Sequence, residues 1–188
     1  TLARECDAIA LVGNASTTAV IETIERGGSL EDGIVEATAR GLLDPDPSQD
    51  LDGSDAAVKL AIVARALWGF EASPREIVRD DLRHLSLDLV RARRRRGATT
   101  RLVARGTKSG GVASLAVRLE EVPLGSPLAV PSDRAVYTYG SGRRTRIHVG
   151  SGLGPRATAE ALLADLQRWY PRVKEVGAAG FSNVGGAK

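Results

Sequence analysis

Within sixteen residues of this 188-residue chain stand Asp44, Asp46, Asp50, Asp52 and Asp55, followed by Lys59, one of only four lysines against 22 arginines. Asp55 and Lys59 are four apart, which places them side by side on one helix face. The rest of that helix, Ala56-Ala57-Val58 and Leu60-Ala61-Ile62-Val63-Ala64, is apolar. The pair is therefore expected on a desolvated face, where an ammonium needs a charge partner. The upstream aspartates would sit near the helix N-terminus, whose dipole favours negative charge. An ammonium held by a carboxylate can neutralise a developing oxyanion and hand it a proton. The same spacing also describes a plain i, i+4 ion pair, and spacing alone leaves both readings open.

A second candidate is Gly150-Ser151-Gly152-Leu153-Gly154, between a strand and a helix. Backbone N–H groups at such a place attract phosphates. The run lacks a sixth-position glycine and a Gly-Lys-Ser/Thr end, so a tight turn is the simpler reading. His84 and His148 have no ligand partner at metal spacing, and the single Cys6 has no base nearby, so no metal site or thiol chemistry is expected. The arginines of 91–96 crowd a helix C-terminus, which suits the dipole and solvent. Without interleaved aromatics, and with a net charge of only +3, they do not argue for nucleic acid.

The elements that must position these groups follow from periodicity. Asn14-Ala15-Ser16-Thr17-Thr18 opens a helix with Val20, Ile21 and Ile24 on one stripe, stopped by Gly27-Gly28. Ser29 caps a second helix, with Asp32 completing a capping box and Gly41 past its end. Two prolines and several aspartates predict an extended, turn-rich loop over 42–53. Ser54 or Asp55 caps a helix over 56–68 that is apolar nearly all round and expected to be buried. A helix from about Ser86 runs into the arginines. The period then changes to two, predicting strands over 99–105, 112–122, 135–139 and 144–149. A last helix is expected over 157–170, and residues 171–188 form a Gly/Ala-rich tail expected to be flexible. Helices first, strands second and one helix last make an α+β fold, with helices on one face of a mostly antiparallel or mixed sheet.

Composition bounds the rest. Hydrophobic residues at 43% and charged residues at 26% give the ordinary globular balance. No apolar run reaches the length of about 18 residues that a spanning helix needs, and no signal peptide is visible, so a cytoplasmic protein without a membrane partner is expected. One cysteine excludes a disulfide framework.

The run from Leu42-Leu43-Asp44-Pro45-Asp46-Pro47 through Asp50-Leu51-Asp52-Gly53-Ser54-Asp55 to Lys59-Leu60 resembles, without a gap, the homoserine dehydrogenase signature Glu-x-Asp-Pro-x-x-Asp-(apolar)-x-Gly-x-Asp-x-x-x-Lys. Asn14-Ala15-Ser16-Thr17-Thr18-Ala19-Val20-Ile21 is similar to the family's substrate loop, Asn-Gly-Thr-Thr-Asn-Tyr-Ile-Leu. The run from Gly150 to Ala159, followed by Leu162 to Leu166, is similar to its glycine turn and closing helix. The resemblance implies that residues 1–170 form the family's catalytic and dimerisation domain, in an oxidoreductase that interconverts aspartate semialdehyde and homoserine with NADP or NAD. It implies Lys59 as proton donor or relay, with Asp55 orienting it. Asp44 and Asp50 would bind the substrate's amino group, with Ala15, Ser16 and Thr17 lining the substrate loop. Gly150, Gly152 and Gly154 would lie beside the cofactor, and the sheet's free face would pair with a second copy, strand 112–122 offering apolar positions. The departures are Asp44 for glutamate, Ala15 for glycine, Ser16 for threonine and Leu42 for an aromatic residue. The 188 residues hold no βαβ glycine fingerprint, so alone they are expected not to turn over. The rival reading is a non-catalytic interaction domain that kept the fold.

Overall fold

The computed structural model describes residues 6–43, 46–142 and 144–150, together with helical residues at 159, 162–164 and 166. The chain forms two compact units, Thr1–Gly152 and Leu153–Lys188; the expected boundary after residue 170 falls inside the second. In that second unit every described residue lies within the expected closing helix and is helical. Residues 171–188 lie outside the described residues.

The first unit is a six-stranded sheet with helices on one face. In chain order its elements are β1 (Ala8–Val12), α1 (Ala15–Glu25), α2 (Leu30–Ala39), α3 (Ser48–Leu51), α4 (Ser54–Trp68), β2 (Val78–Arg79), α5 (Leu87–Arg95), β3 (Ala98–Ser109), β4 (Val112–Pro123), β5 (Ala135–Ser141) and β6 (Arg144–Gly150). The strand order is β2-β4-β3-β1-β5-β6. All neighbours pair antiparallel except the two-residue β2, which runs parallel to β4.

The central strand β1 is absent from the periodicity. Its five residues, Ala-Ile-Ala-Leu-Val, bury both faces: Ile9 and Leu11 join the core under α4, while Ala10 and Val12 join the opposite core. A strand covered on both sides loses the alternation that identifies it. Trp68 Nε1 donates to the Cys6 carbonyl at 2.7 Å, tying the end of α4 to the start of β1.

Helices α1 and α2 touch through Gly33, where a Cβ would stand 2.9 Å from the Val20 carbonyl oxygen. The capping box forms as expected: Asp32 N donates to Ser29 Oγ (3.0 Å) and Ser29 N donates to Asp32 Oδ2 (2.9 Å). The segment 42–53 is not wholly extended, because Ser48–Leu51 makes a helical turn that buries Leu51. Proline forbids helix before itself, and after Pro47 that constraint ends. The start of α4 also differs from expectation. Its N-cap is Gly53, left-handed at φ 76°, while Ser54 and Asp55 lie inside the first turn. A Cβ on Gly53 would come within 3.2 Å of the Asp80 carbonyl, and the Ser54 N–H, one of the first-turn donors without a helical partner, goes to Asp52 Oδ1 at 2.8 Å. Nor is α4 buried all round: Ala56, Ala57, Leu60, Ala61 and Ala64 pack on the sheet, but Ile62 is 62% exposed.

The sheet's other face departs from the expected free apolar surface. On β4 the apolar Leu115, Val117 and Leu119 face the helical side, leaving Arg118 and Glu120 on the outer face. There Arg105 pairs with Glu120 (2.7 Å) and Arg118 with Asp80 (2.6 Å). Leu128 and Val130 cover the lower part, over Val12, Val103, Val122 and Val136. Exposed apolar side chains on that face are Ile147 and Val149 of β6, Val112 at the start of β4 and Val78 of β2.

Candidate active site

Four chain segments converge where β1 ends. The strand stops at Val12, Gly13 turns the chain, and Asn14 caps α1, its side-chain oxygen accepting the Thr17 N–H at 3.4 Å. Ser16 lies in the first turn of α1. The short α3 brings Asp50, and the first two turns of α4 bring Asp55 and Lys59. Asp50, Asp55 and Lys59, which stand on one short stretch of sequence, meet Asn14 and Ser16 here.

Lys59 Nζ donates to Asp55 Oδ2 at 2.6 Å and to the Gly13 carbonyl at 2.9 Å. Asn14 Nδ2 donates to Asp55 Oδ2 at 3.2 Å and to Asp50 Oδ1 at 3.3 Å. The Ser16 hydroxyl donates to the same Asp50 oxygen at 2.7 Å and also contacts Asn14 Oδ1. An ammonium carries three donors. Two of those on Lys59 are engaged, and the third has no partner among the described residues.

The side chains of Lys59 and Asp55 are 37% and 36% exposed, so the face expected to be desolvated is half open. The difference arises because α4 lays its alanines on the sheet and turns Val58 and Ile62 outward on either side of Lys59.

The remaining expected residues divide. Ala15, half-buried, begins α1 beside the cluster. Thr17 is 1% exposed and its hydroxyl donates to the Asn14 carbonyl, so it supports the turn from inside. Gly150 ends β6. Register pairs Val12 with Val136 and Ala135 with Gly150, which sets Gly150 level with Gly13, two strands away or about 10 Å. Among the described residues a Cβ at Gly150 would meet nothing within 4 Å. Asp44, Gly152 and Gly154 lie outside the described residues.

Spacing did not single out Asn14 or the Gly13 carbonyl. Asn14 was legible as the opening of a helix and the first residue of the segment similar to the family's substrate loop; its partners are 36 and 41 residues away, and no local pattern encodes them. Arginines of the 91–96 run are engaged within the fold: Arg91 donates to the Gly27 and Gly28 carbonyls, and Arg93 and Arg96 pair with Glu121. Among the described residues no group of three or more His, Cys, Asp or Glu could hold a metal, and no helix is long and apolar enough to cross a membrane.

Comparison with known proteins places this geometry. A family model described as homoserine dehydrogenase matches residues 2–167. The homoserine dehydrogenase of Methanocaldococcus jannaschii is 29% identical over 164 residues, covering 86% of this chain and 48% of that protein. The NAD(+)-dependent homoserine dehydrogenase of Pseudomonas canavaninivorans is 28% identical, covering 81% of this chain and 44% of its own length. Among solved structures, a hyperthermophilic archaeal homoserine dehydrogenase mutant in complex with NADPH superposes with a TM-score of 0.70 at 27% identity, over 89% of this chain and 48% of that one. The chain thus spans less than half the length of the relatives it matches.

Proposed function

The chain belongs to the homoserine dehydrogenase family, and we propose that it is the substrate-binding and catalytic part of an oxidoreductase that interconverts aspartate semialdehyde and homoserine. The observation that carries this reading is the half-open ammonium of Lys59, anchored on one side by Asp55 and Gly13, with one N–H that meets no partner among the described residues.

The chemistry follows from that geometry. The substrate's cationic amino group pairs with Asp50, whose Oδ1 is held by Asn14 and Ser16 while the other carboxylate oxygen stays available. The family motif assigns the same role to Asp44. The substrate's carbonyl oxygen meets the N–H of Lys59 that has no partner among the described residues. A nicotinamide cofactor, when bound, supplies the hydride for the carbonyl carbon. Gly150 is the described residue that would stand beside the cofactor, and relatives named for NAD(+) and solved with NADPH support either form. As negative charge grows on the oxygen, Lys59 stabilises it and releases a proton to it, while Asp55 keeps the ammonium in place. In the reverse direction the amine takes the hydroxyl proton.

Calorimetric titration of residues 1–188 with L-homoserine tests the reading. Binding is expected, with loss of most affinity in Asp50→Ala. No binding of NADPH is expected, because the βαβ unit that grips a dinucleotide's phosphates is not within these residues. A chain that ignores homoserine sinks the proposal and leaves the interaction-domain reading, whereas micromolar NADPH binding would move the cofactor site onto this unit. We further propose a homodimer through the outer sheet face, where Ile147 and Val149 are exposed; a clean 19.8 kDa monomer in sedimentation would exclude it.

A further inference from the structure

We infer that Asn14 is a positioning residue that holds the carboxylates of Asp50 and Asp55 apart and so keeps one N–H of Lys59 free. The inference rests on the reading of this cluster as the substrate site. Asn14 is 5% exposed, and each side of its amide faces a defined partner. The oxygen accepts from Thr17 N at the start of α1. The nitrogen faces Asp55 Oδ2 at 3.2 Å and Asp50 Oδ1 at 3.3 Å. A carboxylate only accepts, so the amide cannot be turned the other way without placing an oxygen against both.

Three consequences follow. The Asn14 N–H groups lie between two carboxylates that would otherwise repel across the gap. Asp55 Oδ2 is shared by Asn14 and Lys59, which stops the carboxylate from swinging with the lysine. Asp50 is tethered to Asn14 and Ser16, and it makes no ion pair with Lys59 among the described residues. Without the amide, Asp50 is free to turn onto the ammonium. Lys59 would then sit between two carboxylates, with its last donor closed to substrate.

The capping role of Asn14 can be separated from this one. Serine caps helices about as well as asparagine, but one short hydroxyl with a single proton cannot bridge two carboxylates. Asn14→Ser is therefore expected to keep the cap, its Tm falling only by the loss of the contacts to Asp55 and Asp50. Its L-homoserine affinity is expected to fall about tenfold, the value of a lost hydrogen bond to a charged group. Asn14→Asp keeps the shape and the cap but replaces the donor with a third carboxylate, so its affinity is expected to fall further. The Tm shifts of Asn14→Ser and Asp55→Ala should also be non-additive, because each removes the same contact. Wild-type affinity in both Asn14 variants, with additive Tm shifts, would overturn the inference. If the wild-type chain itself fails to bind homoserine, the functional reading falls, and the Tm cycle decides alone: additivity defeats the clamp and non-additivity sustains it.

Discussion

Helix α1 carries a cluster of charges at each end, and the two are built on opposite principles. At its N-terminus Lys59, Asp55, Asp50 and Asn14 form an open group, with the lysine and its carboxylate more than a third exposed. At its C-terminus Arg101 is 5% exposed between Glu25 at 7% and Glu22 at 19%. Arg101 Nε donates to the Val130 carbonyl at 3.0 Å, and one guanidinium nitrogen donates to the Thr100 carbonyl at 2.8 Å and to the Thr99 hydroxyl. Glu25 takes the Thr100 N–H at 3.2 Å and the Thr99 hydroxyl, and Glu22 takes the Ser132 N–H at 3.2 Å. Burial holds the Arg101 guanidinium below the ordinary arginine range, with Glu25 and Glu22 pulling the other way and Arg94 adding to the depression. The buried cluster spends its charges and donors on its own members and on neighbouring backbone. The open one keeps a donor and a carboxylate oxygen in reserve. Charge density alone does not mark a site; the unused valences do.

The sharpest way to break the contrast is Lys59→Ala in an enzyme completed with a dinucleotide-binding domain. Turnover should fall about 10²–10⁴-fold, because the ammonium acts on charge that develops only in the transition state. Stability should change by no more than about 1 kcal/mol, since a half-exposed pair contributes little. Lys59→Arg should not rescue turnover, because a guanidinium does not release a proton near neutral pH. Retained kcat in steady-state assays would reduce the open cluster to a helix ion pair. Arg101→Met should behave in the reverse way. Removing one partner strands Glu25 and Glu22 in the interior, at a cost of about 3–5 kcal/mol in urea unfolding. The folded fraction should still bind homoserine. A fully stable Arg101→Met chain would show that the buried cluster is not what anchors α1 to β3.

The open cluster was largely legible because its chemistry is local. Asp50, Asp55 and Lys59 lie on one short stretch, and four-residue spacing fixes the last two on one face whatever the fold. The closed cluster was not legible, since Glu22, Glu25 and Arg101 are brought together only by the packing of α1 against β3. The strands β3 to β6 read correctly from their period. The five residues of β1 did not, because burial on both faces erased the alternation, and the two residues of β2 are too few to carry a period. The outer face of β4 misled for a related reason: alternation shows that two faces differ, and only the position of α4 shows which is inside.

A third ion pair, between α2 and the residue that follows α1, is more exposed than the other two and should give the smallest effect. Glu36 of α2 accepts from the Thr23 hydroxyl at 2.8 Å and pairs with Arg26 at 2.6 Å. The Thr23 hydroxyl first, then the Arg26 guanidinium, holds its carboxyl below the ordinary glutamate value of 4.5. A carboxyl lowered in the folded state contributes stability that is fully present above its unfolded value and is lost as pH falls through the folded one. The Tm difference between the wild-type chain and Glu36→Gln should therefore be constant from neutral pH to about 5 and shrink below 4.5, where the carboxylate takes up its proton. Added salt should narrow the same difference at pH 7, because exposed charges are screened, while the loss in Arg101→Met should hardly respond. A Glu36→Gln difference that grows on acidification, or an Arg101→Met loss that salt abolishes, would show that exposure does not separate these pairs.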